Sequence, residues 1–242
     1  MAAEGKKQSV DDLMKIFSNP EELKKHVYTG TWVKQHKASD IFHMDVPYDE
    51  IKEIVLRHRD VIFQNLDPNA KKPVFEHVGS TSIKGMPGSL SPDILVVEET
   101  LPPSRSTVAA ILAAGFEFQS VAPHDPEDLW FWKFLQESPC EGQVFTLHLV
   151  SENNKLGKLL VLARDTCNSD KDSFEEYKRD KLAAKAGEGT TMLDYKLKKR
   201  AGTFIPRMRE KVGLPPAGID IKGGNRTNEN RVNFSKIDTG GH

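Results

Sequence analysis

Phe75-Glu76-His77-Val78-Gly79-Ser80-Thr81-Ser82-Ile83-Lys84-Gly85, followed shortly by Ser91-Pro92-Asp93-Ile94-Leu95-Val96-Val97-Glu98, reads as two apolar strands joined by a loop of small hydrogen-bonding residues. One carboxylate, Asp93, opens the second strand. A phosphate-bearing ligand and its metal ion need backbone N–H groups and hydroxyls that approach anionic oxygens closely, with a carboxylate nearby to hold the cation. The same residues also compose an ordinary Gly/Ser turn, and composition alone leaves both readings open.

Outward from that loop, the chain alternates element types. Upstream, Val10 to Phe17 and Pro20 to Val27 have helical spacing, Trp32-Val33 and Ile41 to Val46 read as strand or extended segments, and Pro47 opens a longer helix. Ile51, Ile54, Val55, His58, Val61 and Ile62 trace the apolar face of that helix. Downstream, Val108, Ile111 and Leu112 mark a helix stopped by Gly115, and Phe116 begins a strand. Leu129 to Leu135 and Val144 to Val150 form an expected hairpin. Three helical stretches follow: Lys158 to Arg164, Phe174 to Ala186 and Met192 to Met208, with Pro206 expected to kink or end the last. The order predicts an α+β fold, a mixed sheet flanked by helices with a C-terminal helical segment. The expected organisation is a helical extension over 1–29, a main domain over 30–214 and a disordered tail over 215–242.

Composition narrows the function classes. In 242 residues, 34 Lys and Arg face 35 Asp and Glu, a formal charge of −1, so no global basic field advertises nucleic acid. A bound polyanion must meet a local basic patch, and nucleic acid is an unexpected partner. No apolar run approaches the ~20 residues that span a bilayer, and the N-terminal residues lack the apolar core of a signal peptide, so no membrane partner and a cytoplasmic location are expected. Cys140 and Cys167 are the only cysteines, read as reduced thiols.

The Gly79-Ser80 pair resembles the signature of the nucleotidyltransferase superfold. More closely, the run His77 to Met86, the strand Asp93-Ile94-Leu95-Val96 and His148-Leu149-Val150 are similar to the GrpB family of small nucleotidyltransferase-like proteins. Arg164-Asp165, Tyr177, Lys181-Leu182-Ala183, Tyr195 and Phe204-Ile205 fall in order where that family has its C-terminal helical pattern, so the resemblance covers roughly residues 30 to 212. It implies a cleft that takes a nucleotide or another phosphorylated small molecule, with Asp93 as catalytic and metal-binding residue and Mg²⁺ as cofactor. His77, Gly79, Ser80, Thr81, Ser82, Lys84, His148, Arg164, Tyr177 and Lys181 are the implied ligand contacts.

The chain also departs from the pattern. Nucleotidyl transfer with two Mg²⁺ ions uses paired carboxylates one residue apart on the strand, yet Ser91 and Leu95 flank Asp93. The family's loop proline and the lysine before the strand are replaced by Lys84 and Ser89. No Gly-Lys-Ser/Thr ending follows Gly79, which argues against a kinase phosphate-binding loop. His148 alternates with Leu147 and Leu149 and is expected to face the cleft. His124 to Asp128 reads as a solvated loop, Trp130 and Trp132 as core or covering surface, and Arg164, Lys181 and Lys199 as a candidate basic patch. Two functions therefore compete: a ligand-binding domain with metal-dependent nucleotidyltransferase activity, and a catalytically degenerate interaction or scaffold protein that keeps the fold.

Overall fold

A computed structural model describes residues 8–28, 41–122, 125–186 and 190–215. Trp32, Val33, His124 and the tail from 216 onward lie outside them.

Among the described residues, apolar runs at the expected places build a five-stranded mixed sheet. The strands are β1 (Val74–Val78), β2 (Asp93–Glu98), β3 (Glu117–Ala122), β4 (Asp125–Phe134) and β5 (Val144–Ser151), in the order β1-β2-β5-β4-β3. Only β2 and β5 run parallel; the other neighbours are antiparallel. Because side chains alternate along each strand, the two faces carry different chemistry.

One face presents Ile94, Val96, Leu129, Phe131, Leu147 and Leu149 to the main core. Helices α1 (Val10–Phe17), α2 (Pro20–Lys25), α3 (Tyr48–Gln64) and α4 (Arg105–Ala113) supply the opposing side chains. Helix α1 starts where the Ser9 side chain accepts the Asp12 amide, and it buries Leu13 and Phe17. Five rings meet edge to face at this layer, His58 with Phe116 and Phe145, and Phe118 with Phe131.

The other face carries Val78, Asp93, Leu95, Trp130, Trp132, Thr146, His148 and Val150, as the register requires. It is covered by α5 (Lys155–Ser169), followed by α6 (Lys171–Lys185), α7 (Met192–Arg200) and α8 (Phe204–Lys211). Helix α5 is capped by the Asn154 side chain on the Gly157 amide. These helices have a small core of their own, where Tyr177 and Phe204 stack at 4.6 Å beside Met86, Leu159 and Met208.

Four expectations need correction. Ile41 to Val46 is no strand: only His43 bridges, to Gly88, and Phe42 instead packs edge-on against Tyr195. Met192 to Met208 is two helices. The break holds Gly202, whose bare face lies against Asp180, and the Asp180 carboxylate accepts the Thr203 and Phe204 amides that open α8. Pro206 thus sits in a first turn, where its missing N–H is no loss, and neither kinks nor ends the helix. Val61 turns outward, 39% exposed, and does not join the apolar face of α3. Finally, Asp125 to Asp128 is the start of β4 rather than a solvated loop, and Asp128 is buried.

Candidate functional site

The site forms where the polar end of β2 and β5 meets α6 and α7. Gly79 follows β1 with φ 73° and ψ −171°, backbone accessible in practice only to glycine. Its bare Cα matters as much: a Cβ there would lie 2.3 Å from Asp93 Oδ2. The absence of a side chain lets the Asp93 carboxylate rest directly on the loop. A short 3₁₀ turn, Ser80–Ser82, follows.

Asp93, on β2, is the electrostatic centre of a cavity of about 270 Å³ between the sheet and the C-terminal helices. Burial raises its pKa, while His148, Lys196, Lys199 and Lys181 pull it back down. The side chain is still 34% accessible, because it faces the cavity rather than packed protein. Three ammonium groups therefore act on one carboxylate.

Lys181 of α6 is 1% exposed, with its Nζ 5.4 Å from the centre of the Tyr177 ring. Its Nζ and the Ser80 hydroxyl both press against the bare face of Gly88, 2.8 and 2.9 Å from where a Cβ would stand. Burial, and then Lys199, push the Lys181 pKa well below that of a free lysine, against the pull of Asp93. Lys199, one helix further on, is lowered to about 8 by burial first and by Lys196 and Arg200 next. Lys196 is lowered mainly by burial.

His148, on β5, is held from behind. Its Nδ1 lies 3.0 Å from both oxygens of buried Asp128, which also accepts the Trp130 indole N–H at 2.8 Å. This fixes the tautomer with the proton on Nδ1 and aims Nε2 at Asp93 Oδ1, 4.0 Å away. Burial opposes the imidazolium, but the charge and hydrogen bond of Asp128, with Asp93, outweigh it and raise the pKa.

Of the expected contacts, Gly79, Ser80, Asp93, His148, Arg164 and Tyr177 line the cavity, and Lys181 stands beside Ser80. The rest do not. His77 points to the opposite face of the sheet, opening on a second hollow of about 320 Å³ beside Lys52 and Arg59. Its Nε2 meets the hydroxyl of Thr81, which is itself buried. Ser82 is buried and donates its hydroxyl to the Gly79 carbonyl. Lys84 is 74% exposed beside Asp49, so it does not replace the missing positive charge. Arg164 reaches the cavity wall, but its guanidinium is committed: Nη1 donates to Glu76 at 2.6 Å and to the His77 carbonyl at 2.9 Å, stapling α5 to β1.

The sequence reading missed Lys196 and Asp128. Lys196 was signalled by its place one residue after Tyr195 and three before Lys199, on a helix turn already suspected. Asp128 was signalled by its period-two alternation with Trp130 and Trp132.

The expected Mg²⁺ site does not fit these residues. Glu76 is paired with Arg164, and Glu98 accepts the Ser104 hydroxyl at the far end of β2. Asp128 is committed to His148 and Trp130, which leaves Asp93 as a lone carboxylate facing lysines. Among the described residues, no three His, Cys, Asp or Glu side chains group to hold a metal.

A family model described as GrpB protein matches residues 46–211. The chain belongs to the GrpB family. A crystal structure of the conserved protein GrpB from Enterococcus faecalis is similar to this GrpB chain, with TM-score 0.52 and 18% identity, covering 71% of this chain and 96% of the other. Cid1 poly(U) polymerase also matches. A mutant form bound to MgATP gives TM-score 0.34 and 11% identity over 58% of this chain and 45% of the other; the MgGTP-bound form gives 0.32 and 12% over 60% and 46%. At these identities the likeness concerns the fold. No curated protein matches the chain. Among the described residues, no helix is long and apolar enough to cross a membrane.

Proposed function

We propose that this GrpB domain binds a small phosphorylated ligand in the cavity between β2 and helices α6 and α7, with lysine ammonium groups taking the place that bound metal holds in a nucleotidyltransferase. The observation that carries this reading is a cavity lined by Lys196, Lys199 and the single carboxylate Asp93, with the Lys181 ammonium at its edge beside Ser80. A half-buried site with three ammonium groups and one carboxylate has unmet positive charge, and the lowered lysine pKa values accord with it. A phosphate group supplies the missing negative charge and accepts several N–H donors at once. The Ser80 hydroxyl, beside Lys181, adds a neutral donor.

Calorimetric titration with inorganic triphosphate, ATP, GTP, CTP, UTP and coenzyme A, with and without Mg²⁺, tests the reading. Binding of at least one without Mg²⁺, weakened about tenfold or more by Lys199→Met, is the expected result. If none binds, the proposal falls, and the catalytically degenerate scaffold remains. If binding needs Mg²⁺ and vanishes in Asp93→Asn, the metal-dependent alternative is correct.

A further inference from the structure

We infer that His148 is a phosphoryl acceptor, whose Nε2 attacks the terminal phosphorus of a phosphoanhydride held by the lysines, a step that rests on the phosphate-binding reading above. The way β4 and β5 hold the ring carries the inference. Trp130 pairs with His148 across the two strands, and Asp128, two residues before Trp130, reaches the imidazole from the same face. Both Asp128 oxygens lie 3.0 Å from Nδ1, and the Trp130 N–H, donating to the same carboxylate at 2.8 Å, fixes that acceptor in turn. With the proton on Nδ1, the lone pair of the neutral ring is on Nε2, and His148 lines the cavity together with Lys196 and Lys199. A nucleophile oriented by a buried carboxylate, beside cations that clamp a phosphate, is the arrangement that covalent phosphoryl transfer needs.

Two other histidines are used differently. His77 Nε2 meets the Thr81 hydroxyl at the second hollow, and His58 Nδ1 meets the Ile54 carbonyl at 2.9 Å with its ring against Phe145. The step at His148 balances with the ligand alone. Nε2 bonds to phosphorus, the anhydride P–O bond breaks, and its electron pair leaves on the bridging oxygen of the departing phosphate chain, among the lysine ammonium groups. No proton has to move. Nδ1 keeps its hydrogen, and the positive charge that develops on the ring faces Asp128, the part a buried aspartate plays behind a catalytic histidine. Water then attacks the phosphorus, the N–P bond breaks, and inorganic phosphate departs with both water hydrogens, restoring the neutral ring.

The full chain is incubated with inorganic triphosphate, and separately with acetyl phosphate, quenched in alkali within the first turnover and mapped by mass spectrometry, with calorimetric binding and phosphate release followed in parallel. The expected result is a phosphoryl group on His148, stable in alkali and lost in acid as an N–P bond is, at least about tenfold above any on the exposed His43. His148→Asn keeps a donor for Asp128 but has no Nε2, and should lose both the adduct and the phosphate release. Asp128→Asn keeps Nε2 but removes the supporting charge, and should slow phosphorylation about tenfold or more. The adduct position in the wild type reads independently of whether either variant folds. Triphosphate that binds without labelling His148, or that labels Ser80, a lysine or His43 as strongly, overturns the inference and leaves the phosphate site standing. So does phosphate release that persists in His148→Asn. If neither donor binds or labels the chain, both readings fall.

Discussion

The Asp93 carboxylate occupies the space that a side chain on Gly79 would need: an added Cβ would stand 2.3 Å from Oδ2. Gly79→Ala therefore meets two penalties, backbone strain of about 1–3 kcal/mol at φ 73° and displacement of the carboxylate. Gly142, also at positive φ (74°) but with nothing within 4 Å of an added Cβ, is a comparison site free of the second. Urea denaturation should show Gly79→Ala losing at least about 1 kcal/mol more than Gly142→Ala, and only Gly79→Ala should alter anion affinity. Equal losses together with an unchanged anion affinity would mean that the Asp93 contact has no weight.

Lys181 separates stability from function. It is 1% exposed, and among the described residues no carboxylate forms an ion pair with it, although Asp93 acts on it from across the cavity. Burying an ammonium so poorly compensated opposes folding, and methionine fills nearly the same volume without the charge. Lys181→Met should leave the urea midpoint unchanged or higher while weakening triphosphate binding about tenfold. A loss of more than about 1 kcal/mol of stability would make the ammonium a structural group instead.

Much of this was legible in the sequence, and the failures share a cause. The strands β1, β2 and β5 and the Gly79-Ser80 loop were readable because local apolar patterning and glycine chemistry dictate them. Ile41 to Val46 looked extended, but Ile41 and Phe42 answer to Tyr195 and Met192, which arrive from much further along the chain. The break at Gly202 follows from Asp180, a partner outside any local window. Asp128 and Lys196 needed the sheet register and the helix docking to bring them to Asp93 and His148, information no short stretch holds. Arg164 carried the right charge, but its ion pair with Glu76 was invisible until β1 and α5 were placed together.

The tautomer and charge of His148 depend on Asp128. Burial alone would lower the imidazole pKa; the neighbouring carboxylate reverses the sign. Asp128→Asn removes the charge and keeps the shape, so burial should then prevail. NMR titration should find His148 above the usual histidine value of about 6.5 in the wild type and below it in the variant. An unchanged titration would show that Asp128 does not govern the ring.

His77 should make the fold sensitive to acid. Burial, then Arg164 and Lys52, lower its pKa to about 4 in the folded state, from about 6.5 unfolded. Between those values the unfolded chain takes up a proton that the native state refuses. Stability is therefore full above about pH 6.5 and declines as the pH falls to about 4, by at most on the order of 3 kcal/mol. His77→Gln lacks that proton site. The stability gap between wild type and variant, measured by denaturation at pH 7, 5.5 and 4.5, should shift steadily in favour of the variant as pH falls; a constant gap would place the His77 titration near its unfolded value.

Lys199 gives the anion site its own pH dependence. Its pKa of about 8 reflects burial first, then Lys196 and Arg200 on its own helix, while Asp93 on β2 favours the charged form. Near pH 8 a large share of the free protein therefore carries a neutral amine there. A bound phosphate favours the ammonium, so binding at that pH should draw a proton onto the site. Two results follow with fixed sign. Affinity for inorganic triphosphate should be nearly flat below about pH 7 as far as this group is concerned and should fall as pH rises through 8. The heat of binding at pH 8 should also change with the ionisation enthalpy of the buffer, in the direction of proton uptake, and Lys199→Met should flatten both trends. Proton release, or an affinity that rises above pH 8, would remove Lys199 from the phosphate site.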